Sequence, residues 1–389
     1  MKRLHILKIP ASETVAINSI ALEKARAGEK IYNLSAGEPM MPAPKIVARG
    51  FAQALKKEKT HYPPVSGIPE LRQAAALWMN ELYGSNFKKE NTIVVNGGKF
   101  GIFILLQALL ESGDEVLIPA PYWVSYPTMV QLFKGLPKII ETSQKAGWKI
   151  TPEDIIKNTS KKTKILILNN AGNPTGTLYS KTEIENILIT ADKLGLFVIS
   201  DEVYSGLVYD NKTFVSCASF EKFQENVAII QSCSKNFAMT GFRIGFVFAN
   251  EEIIKTLSSL VSQSTSGVTT MCQYATVEVL KSAKIITRKV NMEMKKRRDI
   301  FVNEFNKAFK CRIMVPESGL YAFVPLSSLG WKDKNSNKFC RLVIEKAGVA
   351  TVPGSAFGQE GYVRFSFGER PESLRRGIHA LARWVKIAA

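Results

Sequence analysis

Seven short apolar runs recur through the middle of the chain: Thr92–Asn96, Glu115–Ile118, Lys138–Glu141, Ile165–Asn169, Phe197–Asp201, Val227–Gln231 and Gly245–Ala249. In most of them apolar residues follow one another directly instead of alternating with polar ones. That pattern predicts strands buried on both faces. Helical patterns separate them, among them Gly101–Leu110, Ser125–Phe133 and Lys181–Leu194. Strand and helix in alternation predict the α/β class, with a mostly parallel seven-stranded sheet flanked by helices. The alternation starts near Lys45 and stops near Lys284. It therefore divides the chain into a large domain, 45–284, and a smaller α+β domain joining 1–44 to 285–389. No run of about 18 apolar residues occurs, so no spanning helix is expected. The longest apolar stretch, Ile102–Leu110, is broken by Gln107 and reads as a buried helix.

In parallel sheets of this kind, ligands bind outside the carboxyl ends of the strands. The residues just beyond each strand are therefore the candidates for chemistry. Gly97-Gly98-Lys99 comes after the first run and precedes a helix. Asn170 to Gly176 come after the fourth, Asp201 closes the fifth with Tyr204 just beyond, and Ser232-Cys233-Ser234-Lys235 comes after the sixth. Free backbone N–H groups at Gly97-Gly98 suit an anion at a helix N-terminus, although a glycine pair is also an ordinary turn. The spacing matches neither a Walker loop nor a GxGxxG fingerprint. Ser232, Ser234 and Arg243 add donors suited to a phosphate. Lys235 would ordinarily lie at the surface. At the mouth of a sheet, near Arg243, it can instead have a lowered pKa and serve as an imine-forming nucleophile. Asp201 either caps the segment beginning at Glu202 or, buried, faces a cation.

Composition changes this picture little, but charge does. Lys and Arg number 52 against 34 Asp and Glu, giving +18 over 389 residues. The basic residues are scattered, and the densest run, Lys295-Lys296-Arg297-Arg298, reads as a solvated helix face. No aromatic-interleaved basic motif points to nucleic acid, so the charge is read as attraction for anionic small molecules. Five cysteines without a CxxC pair do not form a disulfide framework, and three histidines leave no metal cluster in prospect. A reducing, cytoplasmic location is expected. The N-terminal MKRLHILKIP lacks the pattern of a signal peptide.

A phosphate cradle, an imine-forming lysine and an aspartate for a ring nitrogen are what pyridoxal phosphate chemistry asks of a protein. The chain resembles the class I (fold-type I) pyridoxal phosphate aminotransferases, most closely the bacterial aspartate aminotransferases. The resemblance runs from Pro10 to the Val363-Arg-Phe-Ser segment. It is carried by Ser232-x-Ser-Lys-Asn-Phe-Ala-Met-Thr-Gly-x-Arg243-x-Gly, with Asp201-Glu-Val-Tyr204, Asn173-Pro-Thr-Gly and Ala120-Pro-Tyr-Trp-Val-Ser-Tyr-Pro in support.

The resemblance implies a role for each matching residue. Lys235 would bind the cofactor covalently and shuttle the proton, and Asp201 would pair with the ring nitrogen. Tyr204 and Asn173 would hydrogen-bond the ring's phenolic oxygen, with Trp123 stacked on the ring. Gly98, Lys99, Ser232, Ser234 and Arg243 would hold the phosphate, joined by Tyr62 from a second subunit of a homodimer. Arg364, helped by Gly37, would take the substrate α-carboxylate. Ser12, Thr14 and Lys99 would take a side-chain carboxylate, making aspartate and glutamate the amino donors and 2-oxo acids the acceptors. Pro121 and Pro174 would follow cis bonds.

Two departures stand out: Ala171-Gly172 replaces a Pro-Asn pair, and Gly319-Leu-Tyr-Ala replaces Gly-Ala-Phe-Tyr. An aromatic or broad-specificity aminotransferase, or a carbon–sulfur lyase on the same scaffold, remains an alternative. A nucleic-acid-binding regulator is disfavoured because no segment is left over for it.

Overall fold

The computed structural model describes residue 9 and residues 11–388. The rest of the N-terminal decapeptide, and the expectation about it, lie outside the described residues.

Among the described residues, twelve strands form three sheets: β1 (Tyr32–Asn33), β2 (Thr92–Val95), β3 (Glu115–Ala120), β4 (Leu136–Glu141), β5 (Thr163–Asn169), β6 (Phe197–Asp201), β7 (Val227–Ser232), β8 (Gly245–Phe248), β9 (Tyr321–Pro325), β10 (Val349–Ala350), β11 (Val352–Pro353) and β12 (Tyr362–Ser366). All seven apolar runs are strands of one sheet, ordered β2-β8-β7-β6-β5-β3-β4. The four pairs from β7 to β4 are parallel, and only β8 runs against its neighbours.

The unbroken apolar runs have the structural cause predicted for them. Successive residues of a strand point to opposite faces, and here both faces are covered. Ile93, Val95, Ile165, Ile167, Ala228 and Ile230 enter one core, with the helix Gly98–Leu109. Val94, Leu166, Leu168, Val198, Ile229 and Phe246 enter the other, with the helices Pro69–Tyr83 and Lys181–Lys193. β4 is an edge strand; it is the least buried of the seven and carries Pro137, which an edge tolerates.

The remaining sheets draw on both ends of the chain. β1 pairs in parallel with β10, and β11-β12-β9 form an antiparallel sheet. The 27-residue helix Ala283–Phe309 and the helix Pro371–Ala388 pack beside them. Phe301, Phe305, Phe365 and Phe367 form one aromatic cluster there, with ring centroids 5.4–6.4 Å apart. Pro121 and Pro174 follow cis bonds, as expected, and so does Ala171.

The basic run on the long helix is not a solvated face. Arg297 and Arg298 are buried, while Lys296 is exposed. Neighbouring residues on a helix are turned by about 100°, so a run of four cannot all face water when the helix packs on two sides. Arg297 donates to Glu293 at 2.8 Å, to Met40 O at 3.2 Å and to Gly368 O at 2.5 Å, joining the helix to both ends of the chain. Arg298 holds Asp210 in a two-pronged pair at 2.5 and 2.8 Å and also meets Asp299.

The Arg298 hydrogen bond pulls Asp210 down from 3.8 to about 2. A depressed folded-state pKa stabilises the protein above the unfolded value and stops doing so as pH falls through the folded one. Asp210→Ala should therefore cost about 0.5–1 kcal/mol at neutral pH, since Asp210 is half-exposed and solvent screens the pair. The difference should shrink as pH drops from about 4 toward 2. Urea unfolding of both proteins across that range measures it; equal stability at pH 7 contradicts the assignment.

Candidate functional site

The carboxyl ends of β5, β6 and β7 meet the turn after β2 around a cavity of about 410 Å³. Gly97 takes φ +82°, and a Cβ there would lie 2.5 Å from the Arg243 guanidinium. A Cβ on Gly245 would come within 2.7 Å of the Gly97 carbonyl carbon and the Gly98 nitrogen. Glycine at these positions lets β8 and Arg243 close onto the turn. Gly98 begins the helix Gly98–Leu109. Among the described residues, the N–H groups of Gly98 and Lys99 find no acceptor. Opposite, the Ser232 hydroxyl accepts from the Ser234 N–H at 3.2 Å and lies 3.0 Å from the Ser234 hydroxyl. Arg243 donates to Thr240 O at 3.0 Å and to Asn96 O at 3.5 Å, and its side chain is otherwise exposed. Two N–H groups, two hydroxyls and a guanidinium thus converge, as a bound phosphate requires.

Asp201 closes β6 and is 4% exposed. It accepts from the Tyr126 hydroxyl at 2.6 Å and from the Val203 N–H at 3.3 Å, and it does not act as a helix cap. Burial pushes it up to about 6, against the pull of Tyr126, Val203 and the nearby Lys235. No cation of the described residues pairs with it.

Lys235 is half-buried and donates to the Gly37 carbonyl. Burial brings its pKa down to about 8; Arg243 and Arg364 act the same way, while Glu38 and Asp201 oppose them. A lysine so shifted keeps an appreciable neutral fraction near pH 7, which nucleophilic attack and proton transfer both need.

Arg364 comes from β12 and is 2% exposed. It donates to Ser35 O at 2.8 Å and Asn173 Oδ1 at 3.2 Å, and its Nε has no partner. Its guanidinium lies over the Tyr321 ring at 4.2 Å. This is a buried cation among neutral acceptors, suited to an incoming carboxylate. Asn173 is fixed by Asn169, whose Oδ1 accepts from the Asn173 N–H at 2.8 Å while its Nδ2 donates to Asp201 O at 3.0 Å.

Trp123 lines the cavity edge-on to Tyr126 and has the Lys99 ammonium over its ring at 4.8 Å. Lys99 keeps much of its surface open to solvent. Its ammonium is nevertheless crowded enough that desolvation, then Arg243, lowers its pKa.

Twelve of the residues singled out from the sequence besides Lys235 line this cavity: Thr14, Gly37, Gly98, Lys99, Trp123, Asn173, Asp201, Tyr204, Ser232, Ser234, Arg243 and Arg364. Ser12 opens instead on a neighbouring pocket beside Phe103 and Met129, although its hydroxyl reaches Thr14 at 2.9 Å. Tyr62 is not brought to the cavity of its own chain and is 91% exposed. Sequence reasoning missed Glu38, Thr240, Tyr126, Asn169 and Tyr321. Tyr126 lies within the Ala120–Pro127 motif, but nothing in that motif assigns it a role. The Glu38 carboxylate accepts from the Thr240 hydroxyl at 2.6 Å, a contact between distant segments that no local pattern announces.

Known proteins resemble the chain along nearly its whole length. Residues 29–381 match the family model "Aminotransferase class I and II". The chain is 36% identical over 382 residues to a probable aspartate/prephenate aminotransferase of Aquifex aeolicus, covering 97% of each protein. It is likewise 36% identical to the aspartate/prephenate aminotransferase of Thermus thermophilus, covering 98% of this chain and 97% of that one. The structure of the Thermus thermophilus aspartate aminotransferase with maleate superposes with a TM-score of 0.92 at 34% identity, over 98% of this chain and all of that one. A lysine with a lowered pKa, an unpaired buried aspartate and a phosphate cradle thus lie on a fold shared along its whole length. The chain belongs to the class I and II aminotransferases and is a pyridoxal phosphate-dependent transaminase.

Proposed function

We propose that the protein moves an amino group between a dicarboxylic amino acid, aspartate or glutamate, and a 2-oxo acid. The observation that carries this reading is the placement of two cationic groups, Arg364 and Lys99, on one cavity that also holds Lys235. Pyridoxal phosphate, when bound, supplies the electron sink for the bond broken at the substrate Cα.

The chain's residues suit that cofactor. The Gly98 and Lys99 N–H groups, Ser232, Ser234 and Arg243 would hold the phosphate, and Trp123 would cover one face of the ring. Asp201, left without a cation of its own, would face the ring nitrogen and hold a proton there. Tyr204 and Asn173 would face the phenolic oxygen. Lys235 would bind the cofactor covalently. Displaced by the amino acid, its Nζ would take the Cα proton and return it to the carbon on the other side of the amino nitrogen. One positioned amine doing this is worth about 10²–10⁴-fold in rate. Arg364 would grip the α-carboxylate with Gly37 beside it, and Lys99, Thr14 and Ser12 would receive the distal one. Maleate, bound by the Thermus thermophilus relative, is itself a dicarboxylate.

Three further parts belong to the same reading. Residues 45–284 and 1–44 with 285–389 act as two domains around the cleft. The active unit is a homodimer in which Tyr62, exposed in its own chain, reaches the partner's phosphate site. The protein works in the cytoplasm; its five cysteines are free, and no helix of the described residues is long and apolar enough to cross a membrane. An aromatic substrate is the competing reading, favoured by the likeness to an aromatic aminotransferase of Pyrococcus horikoshii, at 32% identity and a TM-score of 0.88.

Three measurements test these proposals. Lys235→Ala should carry no cofactor that borohydride fixes to the protein, and its turnover should fall at least about 10²-fold; a fixed adduct in the variant refutes the assignment. Lys99→Ser should lower the ratio of kcat/KM for aspartate to that for phenylalanine at least roughly tenfold, because the ratio cancels any shared phosphate defect. An unchanged ratio, or a parent enzyme that prefers phenylalanine, turns the reading to the aromatic substrate. Sedimentation should find a dimer, and a fully active monomer would exclude a shared site.

A further inference from the structure

Tyr321 stands where the resemblance leads one to expect phenylalanine, so its hydroxyl is an addition. That hydroxyl lies 2.8 Å from the Tyr204 hydroxyl. Both phenols are buried, and the two rings meet edge to face at 5.8 Å. Position follows from the sheet. Tyr321 on β9 pairs with Ser366 on β12, so Arg364, two residues back, is its diagonal neighbour on the same face. This explains the guanidinium lying 4.2 Å over the Tyr321 ring. On the other side, the hydroxyl lies so close to Gly37 that a Cβ there would be 2.4 Å from it.

The direction of the hydrogen bond follows from the cofactor's phenolic oxygen lying opposite Tyr204. A phenol has one proton to give. Among the described residues, Tyr321 Oη has no hydrogen-bond partner other than Tyr204 Oη. With the cofactor's phenolic oxygen placed opposite Tyr204, the one Tyr204 proton goes to that oxygen, and the Tyr204 oxygen is left to accept. Tyr321, 2.8 Å away, then gives its own proton to the Tyr204 oxygen, and both protons are placed. The charged groups lining the cleft are Arg364 from β12, Asp201 from β6, Lys235 and Arg243 beyond β7, Lys99 beyond β2, and Glu38 from the segment after β1.

We propose that Tyr321 is a positioning residue: its hydroxyl donates to Tyr204 and thereby orients and strengthens the hydrogen bond that Tyr204 gives to the cofactor's phenolic oxygen. This rests on the proposed placement of the cofactor opposite Tyr204. A donor that is itself an acceptor is polarised and donates more strongly, by about 10–30% per bond in a chain. A stronger bond to the phenolic oxygen draws off negative charge that would otherwise stabilise a proton on the cofactor-bound Lys235 nitrogen. That proton should therefore be lost at lower pH in the parent than in a protein lacking the Tyr321 hydroxyl.

The test titrates the visible absorbance of the pyridoxal phosphate-loaded enzyme in four proteins: the parent, Tyr321→Phe, Tyr204→Phe and the double variant. Phenylalanine keeps the ring beneath Arg364, so maleate affinity, measured alongside, should stay within about twofold. The midpoint should rise by roughly 0.2–0.5 pH unit in Tyr321→Phe and by more in Tyr204→Phe. The second change should add nothing in the double variant, because Tyr321 acts only through Tyr204. An unmoved midpoint in Tyr321→Phe, when Tyr204→Phe moves it, overturns the proposal alone. An equal shift from Tyr321→Phe with Tyr204 already removed also overturns it, as does a large loss of maleate affinity. An unmoved midpoint in Tyr204→Phe overturns the placement of the cofactor and this proposal with it.

Discussion

Asp201 and Arg364 are buried and Lys235 is half-buried around one cavity, and none has an ion-pair partner among the described residues. Burying a charge without a partner costs several kcal/mol per group, and a protein that can lower that cost by moving a side chain will do so. Here none of the three can reach relief. The raised Asp201 and the lowered Lys235 are the same constraint seen from its two sides: desolvation disfavours whichever form is charged. A site in this state is already arranged for ligands that bring a cationic ring nitrogen, a phosphate and carboxylates. Its charges need only the ligand to be neutralised.

The sheet is what denies the relief. Asp201 is the last residue of a strand in which Val198, Ile199 and Ser200 are also buried, so the backbone cannot swing it outward. Its carbonyl accepts from the Asn170 N–H and the Asn169 side chain, which ties the ends of β5 and β6 together. Lys235 sits in the single helical turn capped by Ser232, with Gly245 packed against the neighbouring glycine turn. Arg364 is supplied by a different sheet, and Gly37 and Glu38 by a segment far away in sequence. The cavity exists only where the core sheet, the β9–β12 sheet and the segment after β1 come together. Its free energy comes from the two apolar cores behind it, and no contact within the cavity would hold it open alone.

How much of this could be read in the sequence depends on the range of the interaction. The seven strands were legible because burial on both faces leaves an uninterrupted apolar run, and the rule about strand ends then put Asp201, Tyr204, Lys235 and the glycine turn together. Arg364 and Thr14 gave no local signal, and only their match to a family pattern raised them. The Arg297-Arg298 pair was misread because a charge run looks solvated until the partners of the helix are known; its acceptors, Met40 O, Gly368 O and Asp210, lie 257, 71 and 88 residues away. Tyr321 was seen only as a departure from the expected order. Its effect depends on a hydroxyl 117 residues distant that only the fold brings within 2.8 Å.

The excess of positive charge takes on meaning at the same place. Lys99, Lys235, Arg243 and Arg364 line the cavity, against the carboxylates of Asp201 and Glu38. Both carboxylates already accept hydrogen bonds, Asp201 from Tyr126 and Val203 and Glu38 from Thr240. The cations are less well supplied, since their partners are neutral carbonyls, an amide oxygen and the face of Trp123. A cleft with more cations than anions, under a chain of net +18, focuses a positive potential into low-dielectric surroundings. Dianions feel that potential more strongly than monoanions. A phosphate-bearing cofactor and the dicarboxylic substrate proposed above are both of that kind, so part of the excess charge serves to draw small anions to this cleft.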